Sequence, residues 1–303
     1  KADRVRMETA LARAREARVW GKEGASEVAA AMDGLRAVNE GRYAEAEQAL
    51  SGALGAPELK GFESGLFFAR ATVRYLLRDF KGGREDIERV VSARPNQAKA
   101  WDYVGRMRYA EAIETAWRGV DPRGTLELAI EAHTRALGLD DGPAETWNNR
   151  SNALHELSDA QAERGIDPRP ALAKAIADVE QVIRRLPNAA EAWTNRANLR
   201  LAVGRAGAAR GEDPRAELDR CVEDFGRAIA LGPGYTPAYL GRGNAWKERG
   251  DAEGDHGGDP RAAYARAVED YGKALEIRAT FAEAYNNRGN ARVALGKEEL
   301  SRG

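Results

Sequence analysis

Residues 147–192 read WNNRSNALHELSDAQAERGIDPRPALAKAIADVEQVIRRLPNAAEA, and the chain then begins a similar stretch at residue 193. The aromatic residue that opens this stretch recurs at intervals of 46 residues, at Trp101, Trp147, Trp193, Tyr239 and Tyr285. A fixed period of this length is typical of proteins built from stacked repeats. The sequence therefore predicts an array of similar structural units rather than one irregular domain.

A second motif has the same period. Each unit contains the string Gly-x-Asp-Pro-Arg, which begins at Gly119, Gly165, Gly211 and Gly257. Gly adopts the left-handed conformation that follows a helix end, Asp accepts hydrogen bonds from the free amides of the next helix, and Pro fits the first helical position. The flanking segments are rich in Ala, Leu, Glu and Arg, which favour helix. Each unit is therefore predicted to be a helical hairpin, with helix A at 144–164 and helix B at 168–186 in the quoted unit.

Composition restricts the class of protein. Of 303 residues, 43% are apolar and 31% are charged, which is enough apolar material for a core. The chain has 47 Lys and Arg against 48 Asp and Glu, a formal net charge of −1, with no long block of one sign. This balance argues against nucleic acid or a membrane surface as a partner. No apolar run is long enough to suggest a membrane span.

The residues that usually carry chemistry are few and scattered. Cys221 is the single cysteine, so the chain has neither a disulfide framework nor a thiolate cluster, and we expect a cytoplasmic protein. His133, His155 and His256 lack the close spacing of a zinc site. The sequence contains no phosphate-binding loop and no nucleophile elbow. We therefore predict no catalytic residue, no metal and no cofactor, and a protein that is not an enzyme.

The order of the repeated residues resembles the tetratricopeptide repeat (TPR). An aromatic residue opens helix A, and a small residue follows four positions later, at Gly105, Ser151, Ala197, Gly243 and Gly289. Small residues recur in helix B at Ala129, Ala175, Cys221 and Ala267. The resemblance implies an all-α fold, a right-handed α-solenoid (superhelix) of TPR-like helical hairpins. The usual TPR period is about 34 residues, so these units are about a dozen residues longer around the Gly-x-Asp-Pro-Arg corner.

The pattern divides the chain into four parts. Residues 1–26 are predicted to form an N-terminal covering helix, and residues 27–97 two shorter TPR-like hairpins. Residues 98–281 are predicted to form four extended hairpins of 46 residues. Residues 282–303 form a terminal helix, which is either a cap or a truncated fifth unit. Because this helix keeps Arg288, Gly289 and Asn290 of the interior units, we favour truncation; the start at Lys1 rather than Met indicates a processed chain or a fragment.

Asparagines recur two and five residues after the aromatic positions. Since a helix turns about 100° per residue, both offsets lie roughly opposite the aromatic residue. Asn has mediocre helix propensity, so its recurrence requires another reason. Each amide can donate and accept hydrogen bonds, and the TPR resemblance implies that such residues hold a ligand peptide; the alternative is that they link neighbouring A helices. The predicted peptide-binding amides are Asn149, Asn152, Asn195, Asn198, Asn244, Asn287 and Asn290.

Two further sets of residues are predicted to be structural. Arginines three positions after the aromatics, at Arg150, Arg196, Arg242 and Arg288, are expected to pair with helix B carboxylates at Asp178, Asp224 and Asp270. The tryptophans are expected to be buried between helices rather than to form a ligand platform.

The first long unit departs from the asparagine pattern. Lys99, Asp102 and Arg106 lie on the corresponding surface, and we predict that a charged group of the ligand is met there. The alternative, a solvated charged face, is equally compatible with the sequence.

These observations predict a protein–protein interaction scaffold that binds an extended segment of a protein or peptide partner along a groove lined by A helices. Two alternatives remain open at this point. In the first, the chain is the regulatory or substrate-docking arm of a larger enzyme whose catalytic domain lies outside it. In the second, it is a self-assembly module that associates through its C-terminal end.

Overall fold

The structure is a computed structural model that describes residues 22–54, 56, 59 and 61–302. These residues form thirteen helices and no strand, so the predicted all-α repeat fold is confirmed. The predicted covering helix at 1–26 lies almost entirely outside the described residues. None of the described helices combines the length and apolar character that crossing a membrane requires.

The helices follow one another with short connections. Their bounds are α1 Lys22–Asn39, α2 Tyr43–Ala53, α3 Glu63–Leu76, α4 Phe80–Ala93, α5 Ala98–Trp117, α6 Arg123–Leu139, α7 Ala144–Ala162, α8 Arg169–Arg185, α9 Ala190–Ala208, α10 Arg215–Leu231, α11 Thr236–Asp255, α12 Arg261–Ile277 and α13 Ala282–Arg302. Odd-numbered helices up to α11 each form a hairpin with the helix that follows, and we call the two members the A helix and the B helix. From α6 onward, B helices begin at intervals of 46 residues.

The chain divides into two compact units, Lys1–Asn149 and Arg150–Gly303. The division lies inside α7, within one of the predicted hairpins rather than between two of them. In the described part, the first unit contains α1 to α6, and the second contains α8 to α13.

The four corners between long A and B helices have one geometry. Their first glycines, Gly119, Gly165, Gly211 and Gly257, have φ values of 75°, 71°, 80° and 76°, which L-residues rarely adopt. The Asp side chain of each corner accepts a hydrogen bond from the backbone N–H of the Arg two residues later, at 3.0 to 3.2 Å. The predicted capping is therefore confirmed, although the helices begin at Arg, one residue beyond the predicted Pro.

The arginine of each corner also binds the same carboxylate through its side chain. In one corner, Arg169 Nη2 lies 2.8 Å from Asp167 Oδ2, and the other corners repeat this ion pair. The Arg169 side chain lowers the pKa of Asp167 to about 2 because it donates hydrogen bonds to the charged form. The corner is thus closed by the left-handed glycine, the amide cap and the side-chain pair together.

Within a hairpin, a small residue of the A helix packs against a large residue of the B helix. Gly243 in α11 lies so close to Tyr271 in α12 that a Cβ atom at this position would be 2.7 Å from the ring. In the preceding hairpin, the small residue of the B helix is Cys221, whose buried thiol donates a hydrogen bond to the Ala197 carbonyl at 3.1 Å. Burial raises the pKa of this thiol well above its ordinary value. Cys221 is therefore a packing residue, as its place in the repeat predicted.

The predicted Arg–Asp pairs are confirmed. The Nη2 to Oδ1 distances are 2.6 Å for Arg150 and Asp178, 2.6 Å for Arg196 and Asp224, and 2.7 Å for Arg242 and Asp270. In all three pairs Nε contacts the second carboxylate oxygen at 2.8 Å, which makes the pair bidentate. The hairpin of α5 and α6 has the buried apolar residues Val104 and Ala132 at the equivalent positions. Both partners are thus replaced together, which leaves no charge unpaired.

The predicted burial of the tryptophans is only partial. Trp101, Trp147 and Trp193 are half-buried, and their Nε1 atoms donate to the carbonyls of Pro95, Asp141 and Pro187 at 2.8, 2.8 and 3.0 Å. Each acceptor lies six residues earlier, in the connection that precedes the A helix. The indole remains near the surface because its N–H needs this acceptor, and it fixes the entry into the helix.

Candidate functional site

Three of the four asparagines that lie five residues after the aromatic positions are exposed on their A helices. Asn152, Asn198 and Asn290 are exposed, and their amide groups make no hydrogen bond within the described residues. Asn244 is half-buried, and its Oδ1 accepts a hydrogen bond from the Tyr271 hydroxyl at 2.7 Å. Three of these four side chains therefore keep their full hydrogen-bonding capacity.

The asparagines two residues after the aromatic positions have a different environment. Asn149 Nδ2 lies 3.4 and 3.5 Å from the two carboxylate oxygens of Asp102, on the preceding A helix. Asn287 Nδ2 donates to Asn244 Oδ1 at 3.0 Å, again on the preceding A helix. Asn195 is half-buried and also has an interaction partner. The two explanations for the asparagines therefore apply to different residues. Asn149 and Asn287 link A helices, with Asn244 as the acceptor for Asn287. The exposed side chains of Asn152, Asn198 and Asn290, which we call the outward amides, make no such link.

A groove in the second unit lies beside the exposed Asn198 and the half-buried Asn244. Its volume is about 620 Å³. It is lined by His155 of α7, by Asn198 and Leu201 of α9, and by Asn244 of α11. The corner after α7 forms another wall through Gly165 and Ile166. Arg210 and Arg205, which is paired with Glu248, are the basic residues of the lining. The groove therefore combines apolar surface, amides and charge within one cleft, which is the usual make-up of a binding site.

A second groove of about 430 Å³ occupies the equivalent place one unit later. Its wall is the corner after α9, and Glu248, Asp251 and Asp255 of α11 replace the small and basic residues of the first groove. Most of this negative charge is already paired, because Glu248 Oε1 lies 2.5 Å from Arg205 Nη2 and Asp251 Oδ2 lies 2.6 Å from Lys247 Nζ. The long corners therefore create similar clefts of different charge in successive units.

Sequence reasoning did not find these grooves. The recurring Gly-x-Asp-Pro-Arg string revealed that the hairpins are long. It did not reveal that the corner of one hairpin and the next A helix leave a cleft between them, because that space depends on side chains far apart in sequence.

The corresponding surface of the first unit is aromatic and basic. Arg106 lies over the rings of Tyr75 and Tyr103, with its Cζ 4.9 and 4.8 Å from their centroids, and Lys99 Nζ lies 5.5 Å from the centroid of Phe68. Phe68 and Tyr103 pack together with centroids 4.8 Å apart. We call these five residues the aromatic–basic surface. Cation–π contacts hold both basic side chains in place. Lys99 is exposed, and Arg106 Nη1 lies 3.3 Å from Oε1 of the exposed Glu145, a pairing with which an acidic group of a ligand would compete.

Asp102 does not belong to that surface. It is buried, and its Oδ1 lies 2.9 Å from Nδ1 of the fully buried His133. Burial acts to raise the pKa of Asp102, but the hydrogen bond and charge of His133, with Asn149 and Arg106, lower it below its ordinary value. The predicted ligand contact at Asp102 does not fit this environment, because the carboxylate is already enclosed by its partners.

The burial of His133 was not anticipated. In α6 it takes the place that Phe225 and Tyr271 take in later B helices, and its ring lies against Gly105, where a Cβ would approach to 2.6 Å. The sequence indicates this burial only through the repeat position, because His133 stands where two later units have a buried aromatic residue. Within the part of the chain that the structure describes, no three His, Cys, Asp or Glu side chains are placed to hold a metal ion.

Comparison with known proteins identifies the type of repeat. A family model described as TPR repeat matches residues 263–296. No curated protein matches the chain. Residues 263–296, which cover most of α12 and the first part of α13, therefore carry a TPR repeat.

Several solved structures are similar to the chain in fold. The APC/C hetero-tetramer Cut9-Hcn1 superposes with a TM-score of 0.53 at 12% identity, over 94% of this chain and 46% of that one. YrrB, described as a TPR protein with an unusual peptide-binding site, gives a TM-score of 0.50 at 13% identity, over 76% of this chain and 96% of YrrB. The MamA RS-1 ArsTM double mutant gives 0.50 at 14% identity, over 73% and 97% of the two chains. At these identities the similarity establishes the all-α repeat fold.

Proposed function

We propose that the protein is a scaffold that binds an extended segment of a partner protein along the outward amides of its A helices. The observation that carries this proposal is the exposure of Asn152, Asn198 and Asn290 at one repeat position, with no hydrogen bond to the described residues. Asn is a poor choice for an exposed helical position unless its amide is used. An extended peptide offers backbone N–H and C=O groups, and each of these amides can both donate to and accept from such groups.

The grooves of the second unit supply the side-chain contacts in this proposal. The larger groove is next to Asn198, so a peptide held by this amide can place a side chain in the cleft between α7, α9 and the corner. We further propose that the four hairpins from 98 to 281 are TPR repeats lengthened to 46 residues, and that the extra residues serve to form these clefts. YrrB, a protein of similar fold, is itself described as having a peptide-binding site.

The aromatic–basic surface of the first unit has a different role in the proposal. Lys99 and Arg106 are oriented by Phe68, Tyr75 and Tyr103, so this surface selects acidic or aromatic side chains of the partner. Asp102, Asn149 and Asn287 shape the A-helix face and are not direct contacts. Asn195 is half-buried and lies three residues before Asn198 on α9, and it contributes to the peptide-binding surface only together with Asn198. The scaffold performs no chemical step on its partner.

The experiment is a peptide-array binding assay with the whole chain. The triple variant Asn152→Ala, Asn198→Ala, Asn290→Ala is expected to lose at least tenfold in affinity for the peptides that the unaltered protein selects, since each lost amide removes about 0.5–1.5 kcal/mol. The matched control is Asn96→Ala with Asn188→Ala, which removes exposed amides from connections between hairpins. Equal loss in the control, or no loss in the triple variant, contradicts the proposal.

A further inference from the structure

The larger groove of the second unit is lined by small apolar residues along one side. Ala202 and Ala206 of α9 and Ala209 just after it belong to the lining, together with the buried Leu172 and Leu201. Because an alanine side chain ends at Cβ, these positions leave the space in front of them open. The groove reaches about 620 Å³, a volume typical of sites that enclose a ligand group.

The smaller groove, one unit later, shows what closes such a space. At a distance of 46 residues, Ala202 and Ala209 correspond to Glu248 and Asp255, which line the smaller groove. The volume there is about 430 Å³. The two grooves have equivalent helices and corners, but the larger one is apolar where the smaller one carries carboxylates.

The corner of the larger groove exposes an apolar side chain. Ile166 lines the groove and is 42% exposed. The next corner has Glu212 at this position, and its carboxylate pairs with Arg169 at 2.7 Å. Ile166 and the alanines of α9 thus form one apolar surface inside a cleft, and covering this surface with an apolar group of a partner is favourable.

A guanidinium of the lining is available to an aromatic ring. Arg210 is exposed, and its contact with the Asp167 carboxylate is loose, at 3.8 Å. Elsewhere in this unit an arginine covers an aromatic face, as Arg266 does over Trp246 with Cζ 4.5 Å from the centroid. Among the described residues no aromatic ring lies under Arg210. An aromatic occupant of the groove gives this guanidinium such a contact.

Two polar side chains of the lining also keep their hydrogen-bonding groups. Neither the half-buried His155 ring nor the exposed Asn198 amide makes a side-chain hydrogen bond within the described part of the chain. Tyr and Trp combine a large apolar ring system with one polar group that needs a partner. An aliphatic side chain leaves both polar groups unused, and a charged one loses hydration against the alanines. The lining therefore suits Trp or Tyr best.

We propose that the larger groove is the anchor site of the scaffold and takes a Trp or Tyr side chain of the extended partner. The ring packs on the alanines of α9 and on Ile166, and Arg210 lies over its face. The indole N–H or phenol O–H bonds to His155 or Asn198. This inference deepens the proposed function and rests on it, because the outward amides hold the backbone of the partner while the groove selects one side chain.

The probe is a fluorescent twelve-residue peptide of Gly and Ser with one central Trp, compared with the same peptide that has Ala instead of Trp. Fluorescence anisotropy measures the binding of both peptides to the whole chain. We expect the Trp peptide to bind at least tenfold more tightly, because the ring buries a large apolar area. Ala202→Glu, which imports the residue of the smaller groove, is expected to abolish this preference. The matched control Ala173→Glu, at an exposed position of α8 outside the groove, preserves it.

Two variants at exposed positions test the wall and the cation without disturbing the core. Ile166→Glu is expected to reduce the preference for Trp at least fivefold. Arg210→Ala is expected to reduce it about two- to fivefold, the range of an exposed cation–π contact. The charge-matched control is Arg184→Ala, which removes an exposed arginine of α8 and leaves the preference unchanged.

The outcomes separate this inference from the proposed function. Asn152→Ala with Asn290→Ala, outside the groove, is expected to weaken both peptides equally and to leave the preference for Trp intact. Binding of both peptides without a preference for Trp, or a preference that Ala202→Glu and Ile166→Glu leave unchanged, overturns the inference while the proposed function stands. Absence of saturable binding of either peptide overturns both.

Discussion

The hairpin of α5 and α6 and the hairpin of α11 and α12 have the same length and corner but are held together by different chemistry. The later hairpin has the ion pair of Arg242 and Asp270. The earlier hairpin has Val104 and Ala132 there, and instead buries the polar pair of His133 and Asp102. Between the two hairpins, both members of a buried polar pair are replaced together, so that no buried charge is left without a partner. The outer surfaces differ as well, since Arg106 occupies the position that Asn244 has in the later hairpin.

The largest effect is expected from removing one partner of the ion pair. Arg242→Val leaves Asp270 buried without a counter-charge and is expected to lower the free energy of unfolding by about 3 kcal/mol. Adding Asp270→Ala imports the Val104 and Ala132 pair of the earlier hairpin and is expected to restore most of this loss. Urea denaturation followed by circular dichroism measures both variants. A double variant as unstable as Arg242→Val alone would show that the two sets are not interchangeable.

A somewhat smaller effect is expected from the polar pair of the earlier hairpin. His133→Val removes the donor to the buried Asp102 and is expected to cost about 2 kcal/mol at neutral pH. The double variant His133→Val, Asp102→Asn has the residues that the next unit has at these two positions, Asn148 and Val179. It is expected to recover part of the free energy of unfolding that His133→Val loses. The same denaturation measurement applies, and an unaffected His133→Val protein would contradict the assigned role of this pair.

The pair also has a pH dependence with a definite sign. Because the folded protein lowers the pKa of Asp102, its contribution is fully present above the ordinary value of 3.8 and is lost as the pH falls through the lower folded value. His133→Val is therefore expected to reduce the acid-induced loss of stability. Identical pH profiles for the two proteins would be inconsistent with this assignment.

The next effect compares two glycines at the same repeat position. Gly243→Leu forces a side chain into the ring of Tyr271 and is expected to destabilise the protein by about 2 kcal/mol. Gly289→Leu meets no neighbouring atom and is expected to leave stability unchanged or raise it slightly, since Leu favours helix more than Gly does. Thermal unfolding of the two variants side by side tests this difference. Equal destabilisation would mean that Gly289 is enclosed by neighbouring side chains as Gly243 is.

A difference in binding is expected between the two outer surfaces. Lys99→Ala with Arg106→Ala is expected to weaken binding of acidic peptides about tenfold at low salt, and the difference should shrink as salt is added. Neutral peptides should bind this variant as they bind the unaltered protein. Titration at two salt concentrations measures the effect. A loss that is equal for acidic and neutral peptides would contradict charge selection by the aromatic–basic surface.

The smallest expected effect concerns the corners, which are the same in all long hairpins. Asp167 is expected to titrate at about 2 in carboxyl NMR spectra, and Arg169→Ala should return it toward its ordinary value of 3.8. Since this lowered pKa favours the charged form, any contribution to stability is present above pH 3.8 and disappears as the pH falls toward 2. A carboxyl group that titrates normally in the unaltered protein would show that the corner pair does not persist in solution.

Features set by one hairpin could be predicted from the sequence. The left-handed glycines, the capping Asp residues and the pairing of Arg196 with Asp224 follow from turn chemistry and helical spacing, and the structure shows all three. Features set by neighbouring hairpins could not be predicted. The hydrogen bond between Asn287 of α13 and Asn244 of α11 depends on how successive A helices pack against each other.

The asparagines illustrate the same limit. Their spacing placed Asn149 and Asn152 on one side of α7, only about 60° apart. The structure shows Asn149 beside Asp102 and Asn152 exposed, because a small rotation decides whether a side chain reaches the preceding helix. Angular position along one helix is too coarse to separate a linking amide from a free one.

The measurement that tests the central proposal most directly is an NMR titration that follows the side-chain amides of the asparagines as a selected peptide is added. The resonances of Asn152, Asn198 and Asn290 are expected to shift in proportion to occupancy, while those of Asn149 and Asn287 change little because these amides remain bonded to neighbouring helices. Shifts confined to Asn149 and Asn287, with the outward amides unchanged at saturation, would contradict the proposal that the outward amides hold the partner.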